Sequence, residues 1–320
     1  MVDLPSRGYR GRIYLGSFLR YRPMWIKYNG GEKLTDFQVK CTITNKNIPF
    51  EKLREDKQDL LFITESGKFI PYWIESSNTT QITLWLKFPE IVPGIQVFWL
   101  YYANSNFDGA SNANAVFDFF DDFESYTLGD LQGQDDWYSE NYGNYYVSGS
   151  IKVQSDDVAI GTQALKGSNA GTEMVSKDID LNINKFILEF KFKYEQVGNT
   201  LGIVLKDENG NWVGVGVNPP DTDQDQRPVY ATGSDSWTAF GSDITCPSEW
   251  FDIIIKFNVN SYDYIEVNGQ TTSATLGYSF SNIKSISIID RGKGAWGRWD
   301  FVRIRKYAVV EPQISPNQVY

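Results

Sequence analysis

The chain has 320 residues, a formal net charge of -10 and no histidine. Its acidic charge argues against non-specific binding to nucleic acid, because such binding needs a basic surface. The lack of histidine excludes Ser-His-Asp and Cys-His catalysis as well as His-ligated zinc. Any enzymatic chemistry would therefore rest on carboxylate pairs or on Lys, Tyr and Arg side chains.

Aromatic residues make up 15% of the chain, and 27 glycines accompany them. This composition is typical of β-strands joined by turns. Large rings commonly fill the cores of β-sandwiches, but exposed rings also bind the C–H faces of sugars. Both interpretations remain open at the level of composition.

The N-terminal arm, residues 1–17, lacks the apolar core of a signal peptide. No run of eighteen or more apolar residues occurs, so no membrane-spanning helix is predicted. Cys41 and Cys246 are about two hundred residues apart in the sequence. We place them in different domains and expect no disulfide between them.

Alternation of apolar and polar residues predicts strands in the first third of the chain, at 36–43, 81–88 and 95–103. The last of these is too apolar to be half-exposed and is predicted to be central in its sheet. Residues 48–63 predict at most a short helix and the entry to a strand. Turn residues at 29–31, 66–68 and 93–94 separate these elements.

Residues 104–116 are small and polar, without periodicity, and predict a linker or surface crossing. A second set of strands follows, with turns about ten residues apart, as in a sandwich or jelly roll. These predicted strands are 117–124, 151–155, 185–195, 201–207, 212–218, 250–259, 264–269, 285–292 and 299–307. The pattern predicts an all-β protein of two domains, divided near residue 116.

The first domain resembles a known family in three segments that keep their order. They are "YRPMWIKYNGGEKLTDFQVKCTI", "LLFITESGKFIPYWIES" and "ITLWLKFPEIVPGIQVFWLYYANSN". Together they resemble the family of the domain of unknown function 2341 (DUF2341), over about residues 18–112. The resemblance implies an N-terminal β-sandwich of a kind found in secreted or surface proteins, and it carries no activity.

The second domain, residues 117–308, resembles the concanavalin A-like and laminin-G-like jelly rolls through its entrance "FDDFES" and its exit "WDFVRIRKY". The exit also resembles the last strand of lichenase and laminarinase glycosidases, where an aspartate of that strand binds calcium. This resemblance implies a structural calcium held by Asp300, by a backbone oxygen near Asp122 and by Gly161. Glu124 is a further candidate ligand. The alternative for Asp300 is a plain hydrogen-bonding role.

The chain departs from those glycosidases at their catalytic strand, because it contains no "E-x-D-x-E". In that pattern the acids face one side of a sheet, one as nucleophile and one as proton donor. The acids of "DTDQD", residues 221–225, follow two prolines and are predicted to lie in a loop. "DID", residues 178–180, lacks a third acid. We therefore expect a protein that is not an enzyme.

Glycan binding is the function that the aromatic loops favour. Residues 227–241 and 290–300 mix aromatic residues with Arg, Asp and Ser, a combination that suits stacking on sugars and pairing with hydroxyls. Core packing is the alternative for each ring, and Trp299 is predicted to be core. The candidate ligand-binding residues are Trp137, Trp212, Tyr230, Trp237 and Trp296.

Arg303 and Arg305 alternate with apolar residues along the last strand and are predicted to form its solvent-exposed face. The tyrosine-rich stretch 141–149 suits recognition of protein or sugar, although ordered packing explains it equally.

These features predict an extracellular or cell-surface protein, or one on a virion surface, that recognises a glycan or a surface receptor. The alternative is a structural subunit of a surface appendage or virion, assembled as a homo-oligomer or with another protein. In that case the tail, residues 309–320, would complete a neighbour's sheet. A polysaccharide hydrolase or lyase is the third interpretation.

Overall fold

A computed structural model describes residues 2–3, 12–13, 15–141, 150–167, 171–196, 200–218, 227–233, 236–244, 249–291 and 296–317. The chain divides into two compact units, one of residues 1–118 with 308–320 and one of residues 119–307. Both are built of antiparallel strands, and the all-β prediction is confirmed. Within the described residues, no helix is long and apolar enough to cross a membrane.

The strands of the first unit are β1 (Val2–Asp3), β2 (Arg12–Ile13), β3 (Arg20–Tyr28), β4 (Leu34–Thr44), β5 (Leu61–Thr64), β6 (Tyr72–Ser77), β7 (Gln81–Ile91) and β8 (Gly94–Tyr102). Those of the second unit are β9 (Phe119–Asp121), β10 (Gly129–Asp130), β11 (Tyr138–Ser139), β12 (Lys152–Gln154), β13 (Ala164–Lys166), β14 (Glu173–Leu181), β15 (Lys185–Gln196), β16 (Leu201–Asp207), β17 (Trp212–Asn218), β18 (Arg227–Gly233), β19 (Ser236–Ala239), β20 (Phe251–Asn258), β21 (Ser261–Val267), β22 (Gln270–Thr275), β23 (Ile283–Asp290) and β24 (Trp296–Lys306). The tail adds β25 (Gln313–Ser315) to the first unit. Short 3₁₀ helices span Leu15–Ser17 and Phe50–Lys52, and an α-helix, α1, spans Ala113–Val116.

The first unit contains two facing sheets. Sheet I has the order β25-β3-β8-β5, and sheet II has the order β4-β7-β6. Alternate residues of β3 and β8, among them Met24, Ile26, Phe98 and Leu100, point inward and pack with those of β4 and β7. The strong alternation in these strands is what fixes which face enters the core.

The predicted linker or surface crossing, residues 104–116, is packed onto the first unit. Phe107 and Val116 are buried. Ser111 Oγ accepts a hydrogen bond from Ile74 N at 2.9 Å, and Asn112 Oδ1 caps α1 by accepting from Ala115 N at 3.3 Å. Polar residues in this stretch therefore cap and anchor the backbone, which composition alone does not distinguish from a flexible linker.

The tail strand β25 pairs with β3 of its own chain, at Gln313 with Lys27 and Ser315 with Trp25. Arg22 holds the tail, because its Nη2 donates to Pro316 O at 2.7 Å and to Asn317 Oδ1 at 2.8 Å. The alternative of a structural subunit assigned the tail to a neighbour's sheet, but Gln313–Ser315 pair with β3 of their own chain.

The second unit is a sandwich of two larger sheets. Sheet III has the order β10-β12-β13-β24-β15-β20-β21-β22, with β9 also paired to β24, and sheet IV has the order β11-β14-β23-β16-β17-β18-β19. Their inward residues form one core, in which Trp299, Phe190 and Phe192 of sheet III pack with Ile203, Val215 and Ile288 of sheet IV.

The first strand of this unit is shorter than predicted, at Phe119–Asp121 in place of 117–124. Asp121 Oδ1 accepts a hydrogen bond from Phe123 N at 3.0 Å, and Phe123 adopts a positive φ of 59°. This local turn ends the strand, since the aspartate side chain competes with ladder pairing.

The prediction of a solvent-exposed face for Arg303 and Arg305 was wrong. Both are only 6% exposed. The register of β24 with β15 places Glu189 opposite Arg303, and the Glu189 carboxylate pairs with both guanidinium groups. A buried acid on the partner strand accounts for two charges that alternation alone assigns to solvent.

Candidate functional site

Two of the predicted ligand-binding residues meet on the outer face of sheet IV, the face turned away from the sandwich core. In β17, Val213, Val215 and Val217 point into the core, so Trp212 points outward. Trp237 of β19 is paired with Ala231 and packs against the same cluster as Trp212. The cluster consists of Met174, Val204, Trp212, Ala231 and Ile289.

A polar network lies beside this aromatic pair. Lys206 Nζ is 2.6 Å from Glu140 Oε2 and 5.1 Å from the centroid of the Trp212 ring. Ser176 Oγ donates to Glu140 Oε2 at 2.5 Å and is 2.7 Å from Ser287 Oγ. The outer face of sheet IV therefore combines aromatic rings with a carboxylate, an ammonium group and two hydroxyls.

Burial sets the electrostatics of this network. Burial lowers the pKa of Lys206 more than the Glu140 carboxylate raises it, so its pKa lies below the ordinary value for lysine. Lys206 also contacts the face of Trp212, and a cation over an indole ring is an attractive arrangement. Lys206 thereby joins the aromatic and the acidic parts of the face.

Glycines leave the centre of this face without side chains. Gly214 and Gly216 alternate with the core valines of β17 and place no side chain beside Trp212. A Cβ at Gly216 would lie 2.0 Å from Leu201 O, so the close approach of β16 and β17 requires glycine there.

The other predicted ligand-binding residues lie elsewhere. Trp137 is 2% exposed in the core, where its Nε1 donates to Tyr126 Oη at 3.2 Å. Tyr230 faces the core side of sheet IV and contacts the rings of Phe240 and Tyr262. The side chain of Trp296 lies outside the described residues, as do 142–149 of the tyrosine-rich stretch and 292–295 of the glycine-rich loop.

The predicted metal ligand Asp300 is fully buried on β24. Its Oδ2 accepts hydrogen bonds from Ala159 N and Ile160 N, both at 2.9 Å, while Oδ1 has no hydrogen-bond partner among the described residues. Burial raises the pKa of Asp300 to about 7, against the lowering effect of these two hydrogen bonds. The carboxylate thus ties the last strand to residues 159–160.

Two of the other predicted metal ligands, Glu124 and Gly161, meet at the same loop. Glu124 Oε1 accepts hydrogen bonds from Thr162 N at 2.7 Å and from Gln163 N at 2.9 Å. Gly161 has a positive φ of 75°, and a Cβ there would lie 2.2 Å from Glu124 Oε1. Asp122 Oδ1 accepts from Glu124 N at 3.3 Å.

This arrangement fits a cation site in part. The unpaired, buried Oδ1 of Asp300 is an oxygen of the kind that calcium prefers, and calcium completes its shell with carbonyl oxygens and water. The described residues contain no group of three or more acidic, histidine or cysteine side chains able to hold a metal ion. A metal here would therefore rest on Asp300 and backbone oxygens, with Glu124 nearby.

Four carboxylates in or beside sheet IV bear on acid–base chemistry. Glu173 and Asp290 are paired across β14 and β23, but both are fully buried on the core side. On the outer face of sheet IV, Glu140 is bound by Lys206 and Ser176, and Asp178 accepts from Tyr138 Oη at 3.0 Å. The acids of residues 221–225 lie outside the described residues.

Comparison with protein families gives one match. The family model for a domain of unknown function, DUF2341, matches residues 56–140. The predicted resemblance to this family is confirmed, although the match begins later and ends later than predicted. No curated protein matches the chain.

Several solved structures are similar to part of the chain at low identity. A cellulose-induced protein, Cip1, is 13% identical, with 63% of this chain and 98% of that chain covered and a TM-score of 0.40. A Bacillus licheniformis β-glucanase is 15% identical, with 59% and 98% covered and a TM-score of 0.37. A module described as TmCBM61 in complex with β-1,4-galactotriose is 16% identical, with 52% and 91% covered and a TM-score of 0.27.

Sequence reasoning missed the polar half of the outer face of sheet IV. Ser176, Lys206 and Ser287 lie on three different strands, β14, β16 and β23, and Glu140 directly follows β11. Lys206 and Ser287 carried a signal, because they alternate with apolar residues in the predicted strands "LGIVLKD" and "SISIIDRG" and are therefore expected to face outward.

Proposed function

We propose that this protein is a non-catalytic recognition protein that binds a glycan on the outer face of sheet IV. The observation that carries the proposal is the meeting of Trp212 and Trp237 on one face, next to the network of Lys206, Glu140 and Ser176. Sugar sites use rings for stacking and a few placed polar groups for the hydroxyls.

The two tryptophans have different roles in this proposal. Trp212 is only 5% exposed and lies under Lys206, so it supports the site from below. Trp237 lies on the edge strand β19 and is half-buried, which leaves part of its ring open to a ligand. Trp237 is therefore the stacking contact.

The non-catalytic part of the proposal is supported by the state of the outer-face acids. Glu140 is held by an ammonium group and a hydroxyl, and the sequence contains no "E-x-D-x-E" strand. Release of reducing sugar from a polysaccharide panel by the purified chain would contradict this part. A glycan partner also accords with a place outside the cell or on a cell or virion surface, which we include in the proposal.

A glycan array tests the binding site. The wild-type chain is expected to bind at least one glycan, and Trp237→Ala is expected to lose that signal because the stacking ring is gone. Trp250→Ala is the matched control, since Trp250 lies beside sheet III, where its Nε1 donates to Asp157 Oδ1 at 2.9 Å. Equal loss in both variants, or no loss in Trp237→Ala, would contradict the site.

The proposal includes a structural calcium ion at Asp300. Added calcium is expected to raise the melting temperature of the wild type above its value in EDTA, because a ligand bound only to the native state stabilises it. Asp300→Asn is expected to abolish that increment. Asp178→Asn, on an exposed carboxylate of the other sheet, is expected to keep it. A wild type whose melting temperature is the same in calcium and in EDTA has no such site.

A further inference from the structure

The first unit presents aromatic residues on the outer face of sheet I. Met24 and Ile26 of β3 point into the core, and so do Phe98 and Leu100 of β8, so the intervening residues point outward. The register pairs Tyr21 with Tyr101, Pro23 with Trp99 and Trp25 with Val97. We call this row, formed by Tyr21, Pro23, Trp25, Val97, Trp99 and Tyr101, the aromatic strip.

Tyr21, Trp99 and Tyr101 of the strip contact one another, and Trp25, Trp99 and Tyr101 are half-buried. Tyr21 stacks on Tyr101 with centroids 5.6 Å apart and meets Trp99 edge-on at 5.8 Å. Tyr21 is 65% exposed. Phe18, Leu61, Ile63 and Phe107 cover the neighbouring part of the face and pack against Trp99 and Tyr101. Trp99 and Tyr101 thus pack against apolar neighbours, while Tyr21 is exposed to solvent.

A cavity of about 570 Å³ lies at the end of the sandwich near Val97. The strip residue Val97 and its neighbour Ile95, which is 53% exposed, line it. Its polar lining includes Glu65, Lys68 and Gln96. Ile26, Phe88 and Phe98, which point into the core, also line it, so the cavity opens between sheets I and II and the rings of the strip lie on the opposite face of sheet I.

The charges of this surface select the class of ligand. The six residues of the strip carry no charge. The whole chain has a net charge of -10, which disfavours polyanions such as nucleic acids or polyuronates. An uncharged ligand with flat apolar faces and hydroxyl groups complements this surface.

We infer that the aromatic strip is a second carbohydrate-binding surface, which takes a neutral polysaccharide chain. This inference goes beyond the site on sheet IV and does not depend on it, because the strip belongs to the other unit. Aromatic contacts of this kind are modest singly, at about 0.5–1.5 kcal/mol each, so an extended ligand that covers several rings is favoured over a single sugar.

The test is depletion of the chain from solution by insoluble cellulose, xylan and chitin, with polygalacturonate gel as the acidic comparison. Tyr21→Ala with Trp99→Ala is expected to weaken retention on the neutral polymer by about tenfold, as loss of two ring contacts implies. Tyr21→Phe keeps the ring and is expected to bind like the wild type. Because Tyr21 is exposed, Tyr21→Ala alone serves if the double variant fails to fold.

The same assay on Trp237→Ala, and on all three substitutions together, separates the two sites. If Trp237→Ala loses retention on the polymer while the strip variants keep it, the strip is not a binding surface and the site on sheet IV stands. Loss of retention only in the strip variants supports the strip and overturns the site on sheet IV. Retention on polygalacturonate but on no neutral polymer also contradicts the strip as a surface for neutral chains. Sedimentation that shows a dimer dissociated by Tyr21→Ala contradicts it too, since a second copy of the chain would then cover the strip.

Discussion

Replacing Glu189 by glutamine is expected to lower the free energy of unfolding by about 3–5 kcal/mol, because two buried arginines lose their shared counter-charge. Arg303 and Arg305 are almost fully buried, and the Glu189 carboxylate pairs with both. Urea denaturation of the wild type and of Glu189→Gln measures the difference.

The pH dependence of that difference has a defined sign. Burial raises the pKa of Glu189, but Arg303 and Arg305 together lower it by more, so the pKa lies below its ordinary value. The stabilisation is then present above the unfolded-state pKa of about 4.3 and is lost as the pH falls through the folded-state pKa. The two proteins are expected to converge in stability in acid.

The neighbouring pair of Lys191 and Asp252 provides the control. Lys191 also lies on β15 and is 2.7 Å from Asp252 Oδ1, but the Asp252 side chain is 61% exposed. Asp252→Asn is expected to change stability by about 0–1 kcal/mol, as for other exposed ion pairs. If Glu189→Gln lowers the free energy of unfolding by no more than Asp252→Asn does, the buried ion pairs stabilise the fold no more than an exposed pair.

Replacing Trp299 by alanine is expected to cost about 3–5 kcal/mol, because the ring is fully buried and its removal leaves a large cavity. Trp299 packs against Phe192 at 5.5 Å between ring centroids, at the centre of the core of the second unit. Urea denaturation gives this value as well.

Two further variants separate packing from hydrogen bonding at Trp299. Its Nε1 has no hydrogen-bond partner among the described residues, so Trp299→Phe loses ring volume but no hydrogen bond and is expected to cost much less than alanine. Trp237→Ala, at a half-buried edge position, is also expected to cost less. A loss in Trp299→Phe as large as in Trp299→Ala would show that the indole N–H is bonded in solution.

Long alternating strands were predictable from the sequence. Residues 185–195 and 250–259 were predicted as strands and lie in β15, Lys185–Gln196, and β20, Phe251–Asn258. Their apolar residues recur at every second position, and burial of one face fixes both strand and register. Strands such as β18 and β19 were missed, because short, polar or glycine-rich segments gain their structure from the neighbours they pair with.

The position of individual aromatic and charged residues was less predictable. Trp137 and Trp237 both lie in segments rich in turn residues, yet one fills the core and the other lies on an outer face. Arg303 and Arg305 follow the alternation of an exposed strand face, but Glu189 from a distant strand pairs with them. Such outcomes depend on the order of strands in the sheet, which local sequence does not contain.

The central claim is that Trp237 stacks on a bound glycan at the outer face of sheet IV. Calorimetric titration of the glycan found on the array tests it most directly, with wild type and Trp237→Ala compared at equal folded fraction. We expect the dissociation constant to rise by about tenfold or more in the variant, as loss of a stacking ring implies. An unchanged dissociation constant in Trp237→Ala would contradict the proposed site.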